Sequence, residues 1–293
     1  MFVIIGIVVV FGAIIAGYLM EHGKLMVLVQ PAELVIIFGA AVGTVFIANP
    51  LPVLIKMGKG IAGAFRSSPF TKAFYLENIK MLSELFQLAR KQGLMKLESD
   101  IEEPEKSAIF SKYPKFLRDH HALHFVCDTL RMSISGGIGA FDLDQMMESD
   151  MDVHHQEVNA PVQALSTMAD SLPGLGIVAA VLGVVITMGA LGGPPEEIGH
   201  KVAAALVGTF LGILLCYGLF GPLAANMAKA NESEHEYFQF LRVALISSVK
   251  GFAPIMAIEF ARRVIPAHLR PTFQEMEQLT KGAPAAAPAA KEG

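Results

Sequence analysis

Residues 171–185 read SLPGLGIVAAVLGVV. A proline stands two residues after a serine, and glycine or alanine recurs at every turn. No ionisable side chain occurs in the stretch or in the ten residues that follow. Such a run is half of a helix that can cross hydrocarbon. It has no group of its own to carry a proton or an ion. The rest of the chain must say what the helix is for.

The composition is that of a membrane protein. The chain has 293 residues, 53% hydrophobic and 17% charged, with a mean hydropathy of +0.49. The net charge of −4 argues against nucleic acid as a partner. Of the two cysteines, Cys127 falls in a polar region and Cys216 in an apolar run. That separation predicts free thiols, facing a reducing cytoplasm or buried in packing.

Uncharged runs locate four spans: Met1–Met20, Leu34–Ile55, Ser171–Pro195 and Val202–Ala228. Each reaches the length of about 20 residues that the hydrocarbon core requires. The first lacks a basic n-region and is followed by no clean cleavage site, so it is expected to be retained. The connections Glu21–Glu33 and Glu196–Lys201 carry one basic residue each, Lys24 and Lys201. The other 21 of the 23 Lys and Arg (23 less these two) lie in the middle and C-terminal segments. The excess of positive charge marks the cytoplasmic side, which puts the short loops outside and both termini in the cytoplasm. The expected segments are 1–55 with spans one and two, 56–170 as a cytoplasmic helical domain, 171–228 with spans three and four, 229–280 as a cytoplasmic helical segment, and 281–293 as a disordered Ala/Pro-rich tail. The fold class is therefore an all-α integral membrane protein with four transmembrane helices.

Small residues recur four apart on all four spans: Ala13 and Gly17, Gly39 and Gly43, Gly176 and Ala180, Ala179 and Gly183, Gly208 and Gly212. This spacing lets backbones approach closely in lipid, within one subunit or between subunits. The uncharged runs contain hydroxyls, among them Thr44, Ser171, Thr187, Thr209 and Tyr217, but no acid. A transporter or proton pump normally keeps an Asp, Glu, His or Lys at membrane depth, so either this chain moves no ion or a partner supplies the group. Counted from the ends of their runs, Pro173 and Pro222 fall at about the same depth on consecutive antiparallel helices, each expected to free a carbonyl and kink its helix.

In the middle segment, residues 74–91 predict an amphipathic helix with Tyr75, Ile79, Leu82, Phe86 and Ala89 on one stripe. Arg90 and Glu98 would lie about 80° apart on an unbroken helix and offer a charged docking face. In DHHALHFVCD, His120, His121, His124 and Asp128 have spacings that put ligands on one side of a helix, and Asp150 with His154 repeats the pattern. A packed or solvated face is the ordinary fate of such residues, and no CxxC or HExxH accompanies them, so no metal is expected. No nucleotide-binding or nucleophile motif occurs, and neither enzymatic activity nor a cofactor is expected.

Four stretches carry a resemblance: GYLMEHG with QPAELVIIFGAAVG, DSLPGLGIVAAVLGVV, ALVGTFLGILLCYGLFGPLA, and GFAPIMAIEFARR. Together they resemble the flagellar motor stator branch of the MotA/TolQ/ExbB proton-channel family, over nearly the whole chain. TolQ and ExbB relatives have three spans rather than four. The resemblance implies a subunit of the bacterial inner membrane that conducts protons with a MotB-type partner and turns the flux into torque. It implies a ring of subunits, a pentamer around a partner dimer, in which an aspartate on the partner's single span carries the proton. It places the family's functional prolines on Pro173 and Pro222, its hydroxyl beside the ion path on Thr209, and its contacts with the rotor protein FliG on Arg90 and Glu98. Sodium-type relatives carry threonines where this chain has Ala180 and Gly208. Sodium needs oxygens to replace its hydration shell, so their loss favours protons. Two rival readings are a TolQ/ExbB-like energiser of an envelope process and a non-conducting membrane scaffold.

Overall fold

The computed structural model describes residues 2–189 and 191–281. The helices run in chain order: α1 (Phe2–Met20), α2 (Leu25–Leu28), α3 (Pro31–Ala48), α4 (Leu51–Ala64), α5 (Lys72–Gln92), α6 (Glu98–Glu102), α7 (Pro114–Arg118), α8 (His120–Ser135), α9 (Ala140–Met188), α10 (Pro195–Leu215), α11 (Gly221–Val249), α12 (Pro254–Val264) and α13 (Phe273–Lys281). No strand occurs among the described residues. Four helical stretches are long and apolar enough to cross a membrane: Phe2–Met20, Leu25–Ala48, and parts of Ala140–Met188 and Pro195–Val249. The predicted disorder of the tail falls on residues 282–293, outside the described residues.

The described residues form two compact units, one within 1–67 and 156–231 and the other within 68–155 and 232–281. These limits differ from the segments drawn on the sequence. Both divisions fall inside continuous helices, α9 and α11. Loss of hydrophobicity marks the end of an apolar run, but the backbone hydrogen bonding of the helix continues past it.

The first unit holds the spans. Its core joins Ile37, Ala41 and Val45 of α3 with Leu165, Met168, Leu172 and Ala179 of α9 and Leu223, Ala224 and Met227 of α11. Helix α3 ends at Asn49, whose side-chain amide donates to the Val45 carbonyl at 3.0 Å, and Pro50 precludes its continuation. The second expected span thus stops at Ala48, and Leu51–Ile55 belongs to α4. No residue of α1 is buried, and Val8 and Val9 are more than half exposed. An apolar surface of this kind is what lipid or another membrane helix covers.

The second unit is built around the predicted amphipathic helix. Thr71 caps α5 by accepting from the Phe74 N–H at 3.2 Å. Gly93 ends it at φ +88°, a conformation that favours glycine. Tyr75, Ile79, Leu82 and Phe86 are buried as the stripe requires. The C-terminal residues do not form a separate layer. Tyr237, Phe240, Leu241, Ala244 and Leu245 of α11 share one core with α5 and α8. Tyr237 donates to Asn78 Oδ1 at 2.8 Å, and Asn78 Nδ2 donates to the Phe74 carbonyl at 2.8 Å. Helix α13 docks on α5 through Lys72–Glu275 at 2.8 Å. The Lys72 ammonium, with help from the Thr272 N–H, holds the Glu275 carboxyl down at about 2. Cys127 and Cys216 are free and buried in different units. Burial pushes the Cys127 thiol up to about 12, so it carries no thiolate at neutral pH.

Candidate functional site: an antiparallel helix pair with a buried carboxylate

The opening stretch lies in α9 and packs against α10 backbone to backbone. A methyl added at Gly212 would come 2.5 Å from the Leu172 carbonyl oxygen and 3.0 Å from Gly176 Cα. One added at Gly176 would meet the Gly208 carbonyl at 2.9 Å and Thr209 Cα at 3.3 Å. One added at Gly183 would meet Ala205 Cβ at 2.7 Å. The small residues of these two spans therefore serve contact within the chain. Gly17, Gly39 and Gly43 face open space in it.

This register brings Pro173 and Thr209 together. Pro173 is one turn along α9 from Gly176, which touches Thr209. Both are half-buried, as is Ala180, whereas neighbouring Ala179 is fully buried against α10. Pro173 has no N–H, so the carbonyl of Ala169 lacks its helical donor. The helix nevertheless runs through Pro161 and Pro173 unbroken.

Pro222 is not at the level of Pro173, contrary to the sequence-based expectation. Gly212 is level with Leu172, and ten residues of helix from Gly212 to Pro222 cover about 15 Å. Further along, Asn231 Nδ2 donates to the Val158 carbonyl at 2.7 Å, which fixes the same antiparallel register. Pro222 thus lies level with the region of Leu165. Depth counted from the ends of the uncharged runs misleads here, because the fourth run extends to Ala228, well past the level of Ser171 where the third begins. Pro222 is exposed and follows a π-helical turn, Cys216–Phe220, closed by the Gly221 N–H on the Cys216 carbonyl. A wide turn next to a proline re-pairs the carbonyls that the ring would leave without donors.

One residue of this unit escapes the sequence reading. Glu33 lies in the first turn of α3, is 7% exposed, and directs a carboxylate oxygen at Gly208. The uncharged run begins at Leu34, so hydropathy puts Glu33 in the preceding loop. Pro31 followed by an acid is the signal that could have placed it in the helix. The uncharged runs hold no acid, but the second membrane helix does. The position of Gly208, expected to be poor in oxygen, holds one from Glu33.

Arg90 and Glu98 are both exposed in the second unit. Gly93 and a 3-10 turn, Leu94–Leu97, separate them, so the angle of an unbroken helix does not apply. Arg90 Nη1 donates to the Gly251 carbonyl at 3.3 Å. The histidine sequences that look unrelated along the chain meet in space. His121 and His154 rings are 4.7 Å apart, and His154 Nε2 is 3.2 Å from Glu234. His121 and His154, with His124, Asp128 and Asp150, line a cavity of about 520 Å³. Among the described residues no group of His, Cys, Asp and Glu is placed to hold a metal ion.

The comparisons with known proteins agree with this architecture. Residues 4–93 match the model for the motility protein A N-terminal region, and residues 119–239 match that of the MotA/TolQ/ExbB proton channel family. The chain is 40% identical over 278 residues to motility protein A of Escherichia coli, covering 95% of this chain and 94% of that protein. It is 36% identical to the chemotaxis protein LafT of Vibrio parahaemolyticus over 94% of this chain and 96% of the other. The fold matches a chain of the flagellar MotAB stator complex of Bacillus subtilis with a TM-score of 0.70 at 26% identity, covering 87% of this chain and 92% of that one. It matches a chain of C. jejuni MotAB with a TM-score of 0.74 at 17% identity, covering 90% and 95%. The chain belongs to the MotA/TolQ/ExbB proton channel family.

Proposed function

We propose that this chain is a stator subunit of the flagellar motor, and that with a MotB-type partner it conducts protons across the bacterial inner membrane. The observation that carries the reading is the α9–α10 pair. Its contacts are made by glycine and alanine, and Pro173 and Thr209 lie within a turn of each other along it. Such a pair is a smooth wall for another chain's helix, and it leaves the proton-carrying carboxylate to that chain. Relatives named for motility and chemotaxis support the flagellar role over an envelope energiser.

The mechanism follows from the cost of charge in lipid. A proton from outside neutralises the partner's aspartate near Pro173 and Thr209, which removes a membrane-depth penalty and changes the surface that the partner's helix prefers. Release to the cytoplasm restores the charge. Several copies, five by the family resemblance, surround the partner, with both termini cytoplasmic. Arg90 and Glu98 meet FliG of the rotor through complementary charge.

Arg90→Glu tests the division of labour. It places a reversed charge at an exposed site whose hydrogen bond goes to one backbone carbonyl, that of Gly251. Torque in tethered cells is expected to fall severalfold, with proton flux through an unplugged complex unchanged. An equal fall in flux would refute the separation of roles.

A further inference from the structure

Glu33 is spent on nothing in the fold. Its Oε2 is buried and accepts no hydrogen bond among the described residues. A carboxylate in the first turn of a helix ordinarily bonds the free N–H groups there. This one leans across to α10. A methyl built on Gly208 would come 2.6 Å from Glu33 Oε2, 3.3 Å from its carboxyl carbon and 3.2 Å from the Ala179 methyl. The missing side chain at Gly208 is the room the carboxyl fills, and Thr209 is the next residue. No ionisable side chain lies on α2 or on residues 171–188 of α9 to neutralise a charge there. On α10 the nearest are His200 and Lys201, about two turns away, and Lys201 is paired with Glu197 at 2.8 Å. A buried carboxyl group without partners is stable neutral and costly charged, which is the property of a group that takes a proton and passes it on.

We infer that Glu33 is a proton-binding station of this chain, seated in the Gly208 niche between the outer side and the partner's aspartate. The inference rests on the proton-conducting reading above. Hydronium from the outer side protonates the carboxylate, giving the acid and a water. The acid then returns its proton to a water on the route to the partner's carboxylate, and the Glu33 carboxylate is restored. A single carboxylate in an otherwise apolar niche suits a proton and falls short of the several oxygens a sodium ion takes.

The test measures cytoplasmic acidification in cells that express the full chain with an unplugged MotB-type partner, at fixed external sodium and over a series of external pH. Glu33→Gln keeps the shape and removes the titration. Its flux is expected to fall at least about tenfold, as for loss of a positioned proton-transfer group. Glu33→Asp keeps an acid on a shorter stem and is expected to recover most of the flux, with a changed pH profile. Flux for Glu33→Gln equal to wild type at every pH would overturn the inference. So would an aspartate variant as low as the glutamine variant, since restoring an acid at the position would then restore no transfer. Absence of flux from the wild-type pair would count against the parent reading itself, not against the station alone.

Discussion

Gly212→Leu is expected to abolish motility by preventing the third and fourth spans from closing on each other. A side chain at this position starts 2.5 Å from the Leu172 carbonyl oxygen and 3.0 Å from Gly176 Cα, both backbone atoms that cannot turn aside. Overpacking a site bounded by side chains costs about 1–3 kcal/mol, and a backbone boundary raises the cost because two helices must separate. The measurement is the yield of the full complex co-purified with its partner, together with swimming. Complex yield should fall to a small fraction of wild type. Gly43→Leu is the control, since nothing in the chain lies within 4 Å of a methyl added there. It should leave this chain folded, and any loss of function in it would report a neighbouring chain on that face. Normal complex from Gly212→Leu would mean that the α9–α10 contact is not the wall of the ion path.

Tyr237→Ala is expected to have the next largest effect, through the second unit. The ring is fully buried and packs edge-on to Phe74 at 4.9 Å and to Tyr75 at 6.1 Å. Removing a large buried ring costs about 3–5 kcal/mol. It also leaves Asn78 Oδ1 buried without its donor, which adds about 1–3 kcal/mol. Tyr237→Phe loses only the hydroxyl and should cost the second quantity alone. Thermal unfolding of the purified complex separates the two variants. Because α11 supplies this residue and also carries Pro222, the alanine variant should lose torque even where some folded protein remains. Equal stability of the two variants would mean that the ring contributes little to the core.

The spans are legible in the sequence because lipid leaves few solutions. An uncharged run of sufficient length must be a helix, and α1 and α3 follow the expected limits to within a few residues at most ends. The stripe from Tyr75 to Phe86 is legible for a similar reason, since period and capping agree with burial. What stays hidden depends on partners distant in sequence. Nothing local to Tyr237 says that it meets Asn78, 159 residues away. Nothing local to Glu33 says that it faces Gly208, because the helix hides its start behind a charge that reads as loop. The π-helical turn before Pro222 is hidden too, since a proline signals a local adjustment without specifying which. The matched depth of Pro173 and Pro222 fails because the fourth uncharged run continues along α11 past the level of Ser171, so the ends of the two runs do not lie at one depth.

The proton path proposed for this chain has its essential carboxylate on another chain. Cytoplasmic pH in cells that express this chain with an unplugged, aspartate-bearing MotB-type partner tests this most directly. Acidification is expected, and is expected to disappear when the partner's aspartate becomes asparagine, with co-assembly intact. Acidification that persists with asparagine, or none at all from a confirmed wild-type complex, would contradict the proposal.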